Sequence, residues 1–185
     1  MFFVIGAFLL TGCNQNDIKN QVKWPVKDFS FTNQDGKQFG SSDLKGKVWV
    51  ADFVYTSCKD VCPPMTFNLS TLQKKVKEQG IHNVKFVSFS IDPTVDTTEK
   101  IKKYAGEFNA DFKSWTFLTG YSQDKIENFA LKNFKALVKK PDKGDEVIHG
   151  TDFYLIDKEG NVRKTYSGFD KVPYTEILHD IKALQ

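Results

Sequence analysis

The feature that most constrains this chain is Val48-Trp49-Val50-Ala51-Asp52-Phe53-Val54, seven residues with a single polar side chain among them. An apolar run of strand length without polar alternation must be covered on both faces, so it predicts a central strand with helices above and below. Four residues beyond its end stands Cys58, and Cys62 follows after three more. A buried strand therefore delivers two thiols to the start of whatever comes next.

The flanking patterns fill in the rest of the sheet. Phe29 to Thr32 alternates, Asp35-Gly36 turns, and Lys37 to Phe39 returns, which predicts a hairpin. Met65, Leu69, Leu72 and Val76 share one helical face, with Gly80 as its stop. Val84 to Ile91 reads as a second strand, and Trp115 to Leu118 as a third. Between them Asp96, with Glu99 three residues on, is placed to cap a helix whose inner face is Ile101, Tyr104, Ala105 and Phe108. Ile126, Phe129, Ala130 and Phe134 mark another helix. Phe153 to Ile156 and Val162 to Tyr166 flank a turn at 157–161, and Pro173 opens a last helix.

This order is α/β with helices on both faces, that of a thioredoxin-like fold with an added N-terminal β-hairpin. A length of 185 residues suits one such domain, and 17 phenylalanines exclude a disordered chain. The cationic side chains are lysines but for Arg163. Base and phosphate readers lean on arginine forks, so nucleic acid is not an expected partner.

The third cysteine has a separate explanation. Residues 2–10 are apolar, too few to span a bilayer, and they end at Thr11-Gly12-Cys13. That ending resembles a bacterial lipoprotein signal, which implies that Cys13 carries lipid and becomes the mature N-terminus. The expected organisation is a signal segment over 1–13, a flexible tether over 14–27 and one domain over 28–185.

At a helix N-terminus the backbone dipole and free N–H groups favour thiolate over thiol, and thiolate is both a disulfide-exchange nucleophile and a soft-metal ligand. Cys58 and Cys62 thus support a redox dithiol or a metal clip. A purely structural disulfide across three residues would close the loop with the least entropic gain. Thioredoxin-type oxidoreductases have two residues between their cysteines, not three, and a proline before the strand that crosses the redox site. Here the matching stretch, Val147 to Asp152, has no proline and carries His149. Two thiolates and one imidazole suit copper in either oxidation state, while zinc would want a fourth ligand that these motifs do not supply.

The string Val54-Tyr55-Thr56-Ser57-Cys58-Lys59-Asp60-Val61-Cys62-Pro63 resembles the signature of the Sco (SenC) family of copper-binding proteins, and Ser90 to Thr97 and His149 match two further landmarks. The resemblance implies one copper held by Cys58, Cys62 and His149. It also implies a lipid-anchored protein on the extracytoplasmic face of a bacterial membrane, which delivers copper to the dinuclear centre of cytochrome c oxidase or maintains that centre. Its implied partners are the copper-centre subunit of the oxidase and a copper donor or thiol reductant. The alternative is a membrane-anchored thiol–disulfide oxidoreductase that reduces partner cysteines; a peroxidase of the same fold lacks its Thr-x-x-Cys motif.

Other residues attract blander readings. Met65 belongs to the core stripe, and His82 and His179 to the surface. Asp52, six residues before Cys58, reads either as a buried carboxylate that needs a partner and can tune the thiols or as one facing a solvated sheet edge. Asp92 and Asp96 are read as shaping the turn into the second helix. Lys139 to Glu146 holds only polar, Pro or Gly residues, so this loop is expected to move and carry His149 to and from the thiolates.

Overall fold

The computed structural model describes residues 18–141 and 146–185. Cys13 and the lipoprotein signal therefore lie outside the described residues, as does the middle of the Lys139–Glu146 loop.

Eight strands form one sheet in the order β1-β10-β9-β4-β5-β6-β2-β3. The seven-residue apolar run is β4 (Val48–Val54), and every one of its residues is buried. It pairs in parallel with β5 (Val84–Ser90), which pairs in parallel with β6 (Trp115–Thr119). On its other side it meets β9 (Asp152–Ile156) antiparallel, followed by β10 (Asn161–Ser167). The expected hairpin is β2 (Ser30–Asn33) with β3 (Gln38–Gly40), docked on β6 and turned through Gly36 at φ +73°. A short α1 (Ser41–Leu44), absent from the sequence reading, follows it.

The helices are distributed by crossover handedness. The steps β4 to β5 and β5 to β6 advance across the sheet in one direction, and right-handed crossovers put their helices on one face. These are α2 (Cys62–Glu78) and α3 (Thr98–Glu107), joined by a bond between Thr66 and Tyr104 at 2.7 Å. α4 (Gln123–Phe134) lies on the opposite face, where Phe134 packs on Trp49 and Phe53 of β4. There Phe129 and Phe134 pack with Phe29, Phe31, Phe53 and Phe89 at ring separations of 5.2–5.7 Å. Aromatic pairs at such separations add to the burial of their area. The last helix, α5 (Tyr174–Ala183), starts after Pro173 as expected and fixes its buried Asp180 to Lys164 and Tyr166 of β10.

Two expectations need correction. The cap of α3 is Thr97, whose side chain accepts from the Lys100 N–H, and not Asp96, whose carboxylate is engaged elsewhere. The segment read as a tether contributes β1 (Trp24–Pro25), which pairs with Val162 and Asn161 at the sheet edge. Trp24 donates its indole N–H to the Asn133 carbonyl, Asn133 Oδ1 accepts from the Lys27 N–H, and Val22 and Val26 donate to Arg163 and Gly160 carbonyls. Strand pairing, backbone hydrogen bonds and the Trp24 indole together hold this polar segment on the domain.

Candidate metal centre

The end of β4 and the start of α2 define the cysteine turn. Val61 provides no side-chain cap for α2, and Pro63 and Pro64 have no N–H to donate, so few of the usual orphan donors remain. The Cys62 N–H points at Cys58 Sγ, 3.3 Å away. The sulfur takes the place of the missing cap, and a negative sulfur is the better acceptor there.

The thiols are electrostatically unequal. A hydrogen bond from the Cys62 thiol, seconded by the N–H groups of Cys62 and Asp60 and the Tyr55 hydroxyl, overcomes burial and lowers Cys58 to about 4. Cys62 is pushed strongly upward by that same bond to Cys58 and by its burial. The pair is thus one thiolate and one thiol, both free of disulfide.

His149 completes the group. The charged stretch before it ends in order: β7 (Val138–Lys139) pairs with β8 (Ile148–His149), so the histidine stands on a short strand rather than at the end of an irregular loop. Its Nδ1 lies 2.7 Å from the Gly150 carbonyl, and a carbonyl accepts only from a protonated nitrogen, so the proton sits on Nδ1. Nε2 then presents its lone pair to Cys62 Sγ at 3.5 Å. The ligand atoms of Cys58, Cys62 and His149 all lie within 4.8 Å of one another. Two sulfurs and one imidazole nitrogen form a soft, mixed donor set suited to copper, open on the side lined by Lys59, Asp92, Lys140 and Glu146.

The surroundings include one group that the sequence did not single out, Tyr55, beside Asp92 and Asp96, which it did. The Tyr55 ring meets His149 edge-on, with centroids 5.8 Å apart at 86°; its position inside the cysteine string was the available signal. Asp96 accepts from the Thr56 N–H, the Thr56 hydroxyl at 2.6 Å and the Ser90 hydroxyl at 2.6 Å, tying the cysteine turn to β5. Burial nonetheless raises its pKa. Asp92 accepts from Lys140 Nζ at 2.6 Å, and the Lys140 N–H donates to Glu127 at 2.9 Å, so the front of the expected mobile loop is fastened at its described end.

The remaining candidates fall where the blander readings put them or go unanswered. Met65 is fully buried in the core. His82 is exposed, and His179 lies 2.9 Å from Asp180, far along α5. Asp52 is fully buried on the strand that feeds the turn. One of its oxygens accepts from Ser88 at 2.5 Å and the other has no partner among the described residues, and burial pushes its pKa up to about 7 against that one hydrogen bond.

Comparison with known proteins follows the same line. The family model for SCO1/SenC matches residues 19–185. A SCO1/SenC family lipoprotein from Bacillus anthracis is 51% identical, with a TM-score of 0.88 over 91% of this chain and 99% of that one. BsSco, a member of the Sco family of cytochrome c oxidase assembly proteins, is 48% identical, with a TM-score of 0.83 over 90% of this chain and 96% of its own. The copper-bound ScoI of Bradyrhizobium japonicum is 25% identical, with a TM-score of 0.72 over 88% of this chain and all of its own. Sco proteins share the thioredoxin-like fold, and so does this chain. With its cysteine string, its histidine strand and a match over nearly its whole length, the chain belongs to the SCO1/SenC family.

Proposed function

We propose that this chain is a copper carrier, anchored at the extracytoplasmic face of a bacterial membrane, that supplies or maintains the dinuclear copper centre of cytochrome c oxidase. Cys58 and Cys62 hold one copper ion as thiolates, and His149 is the third ligand through Nε2. The observation that carries the reading is the convergence of a thiolate, a thiol and an imidazole lone pair within 4.8 Å. Copper in the Bradyrhizobium relative and the oxidase-assembly role of BsSco support it.

Copper here is cargo, and the chain's own groups decide how it is taken and let go. The Cys58 thiolate is ready for it. Cys62 gives up its proton as the metal arrives, and Gly150 keeps the His149 proton on the nitrogen turned away from the sulfurs. Sulfur favours Cu(I) and imidazole accommodates Cu(II), so both states have a donor. Oxidation of the pair to a disulfide removes both sulfur ligands, which makes binding dependent on the reduced form.

For location, the Bacillus anthracis lipoprotein supports lipid at Cys13, with residues 1–13 as signal and a connection that ends where Trp24 joins the edge of the sheet. No helix among the described residues is long and apolar enough to cross a membrane. The partners in this reading are the oxidase subunit that houses the copper centre, a copper donor, and a thiol reductant that returns the pair to its metal-binding form.

The test is a copper titration of the reduced protein, repeated with His149→Ala, Cys58→Ser, Cys62→Ser and the oxidised chain. One tight copper per chain is expected, with weaker binding and an altered spectrum without His149, and little binding by the others. An unchanged affinity and spectrum in His149→Ala would sink the three-ligand site. A second reading, a thiol–disulfide oxidoreductase, is favoured by the split of the pair into nucleophile and resolving thiol. It wins if the protein rapidly reduces a partner disulfide with no dependence on His149.

A further inference from the structure

The end of the molecule opposite the cysteines carries a charge pattern that copper binding leaves unused. Lys47 directly precedes β4, Lys85 pairs in register with Trp49 near the start of β5, and Lys113 lies just before β6. Lys74 and Lys77 come from the last turns of α2, whose first residue is Cys62. These five lysines and Phe67 line one groove of about 900 Å³.

Among the described residues, two carboxylates answer them: Asp111 lies 3.9 Å from Lys77 and Glu78 lies 3.8 Å from Lys74, in exposed pairs. Lys47 and Lys85 donate instead to the backbone carbonyls of Asp43 and Lys113. Burial, and then the charge of Lys47, lower the pKa of Lys85. The dipole of α2 accounts for cations at its C-terminal end. It does not account for three more brought in at the entries of three strands, where like charges crowd each other until an anion joins them.

Two observations narrow the anion. Phe67 lines the groove with 62% of its surface exposed and Phe112, 37% exposed, directly precedes Lys113 in the chain, and lysines mixed with exposed apolar rings are the composition of a surface that seats in the headgroups of an anionic bilayer. The N-terminal segment also enters at this end: Trp24 pairs with Val162, Val162 with Ile156, and Ile156 with Trp49, next to Lys47.

We infer that the lysine-rich groove is a docking surface for an anionic phospholipid bilayer, which seats the domain with the cysteine pair pointing away from the lipid. The length of β4 places the pair roughly 20 Å above that surface. The inference rests on the membrane-anchored reading proposed above and adds an orientation to it.

The test follows hydrogen exchange of the full-length chain on vesicles of phosphatidylcholine alone and of phosphatidylcholine with phosphatidylglycerol. Residues 74–85 and 109–114 are expected to gain protection on the anionic vesicles only. That protection should vanish at high salt and in Lys74→Glu/Lys77→Glu/Lys113→Glu, which still binds copper. Equal exchange on both vesicles, or protection at residues 58–62 and 147–149 instead, overturns the proposal and leaves an acidic protein as the groove's partner. The same protection from soluble glycerol phosphate overturns it in favour of a free phosphate ligand. Flotation separates the two claims. A chain that floats with neutral vesicles but shows no groove protection on anionic ones loses the docking surface and keeps the anchor. One that floats only with anionic vesicles loses the anchor and supports the docking surface.

Discussion

Cys58 and Cys62 sit on a turn tied down from several sides, whereas His149 reaches them from a strand of two residues. The cysteine turn follows a fully buried strand, is gripped through Thr56 by Asp96, and passes into a helix of 17 residues. The histidine hairpin has one pair of two-residue strands, buried Val138 and Val147, a ring contact to Tyr55, the Lys140 anchor on Asp92 and Glu127, and an exposed Lys139–Glu127 ion pair. The two sulfurs are preorganised by the core. The imidazole is positioned, among the described residues, by more exposed contacts that are easier to undo, as the proposed release of a metal would require.

The comparison can be broken most severely at the cysteines. Cys62→Ser should reduce copper affinity by more than the roughly hundredfold that loss of a supporting group costs, because it removes a ligand outright; isothermal titration against a Cu(I) chelator measures this. Asp96→Ala comes next. It leaves the Thr56 and Ser90 donors without their buried acceptor, and a loss of about 3 kcal/mol in urea unfolding is expected. A loss under about 1 kcal/mol would mean that the cysteine turn is not held by Asp96.

Asp52 sharpens the same side of the comparison through pH. Its pKa is raised from 3.8 to about 7, so between those values the folded protein keeps a proton that the unfolded chain has released. Its contribution to stability is complete below about 4 and is lost as pH rises toward 7. The ceiling is about 4 kcal/mol, and with internal relaxation roughly half of that is expected. Asp52→Asn should flatten the stability profile between pH 4 and 7 and make the variant more stable than the parent at pH 8. A profile that keeps its slope in the variant assigns the proton to another group. The smallest effect belongs to the histidine side: Lys140→Ala should cost about 1 kcal/mol. Its signature is faster hydrogen exchange at Val147 to His149 with no change at Cys58 to Cys62. Equal loosening of both would mean that the histidine hairpin and the cysteine turn are held as one unit.

Much of this architecture is legible in the sequence because it follows from periodicity. The unbroken apolar run, the alternating hairpin and the 3.6-residue stripes fix strands and helices by local rules, and the spacing of the two cysteines places them on one turn. What escapes is long-range competition for the same polar groups. Asp96 and Thr97 are adjacent and both are good caps. Thr97 takes the role because Thr56, forty positions away, claims Asp96. The partner of Trp24 is Asn133, 109 residues on, and nothing local betrays it. The two-residue strand under His149 is too short for any period to reveal, so its histidine could be placed near the thiols only through the order of the elements and the family resemblance.

The clamp around Trp24 also has a mechanical side. A pull on the N-terminal segment loads the Trp24 indole bond, the Asn133 side chain and the pairing of β1 with β10 at the outermost edge of the sheet. Two further strand interfaces separate that edge from β4 and the cysteine turn. Tension on the N-terminal segment is therefore resisted at the rim and yields there first. The cysteine turn is sprung independently of that edge, and a pull on the edge strand does not draw its sulfurs apart.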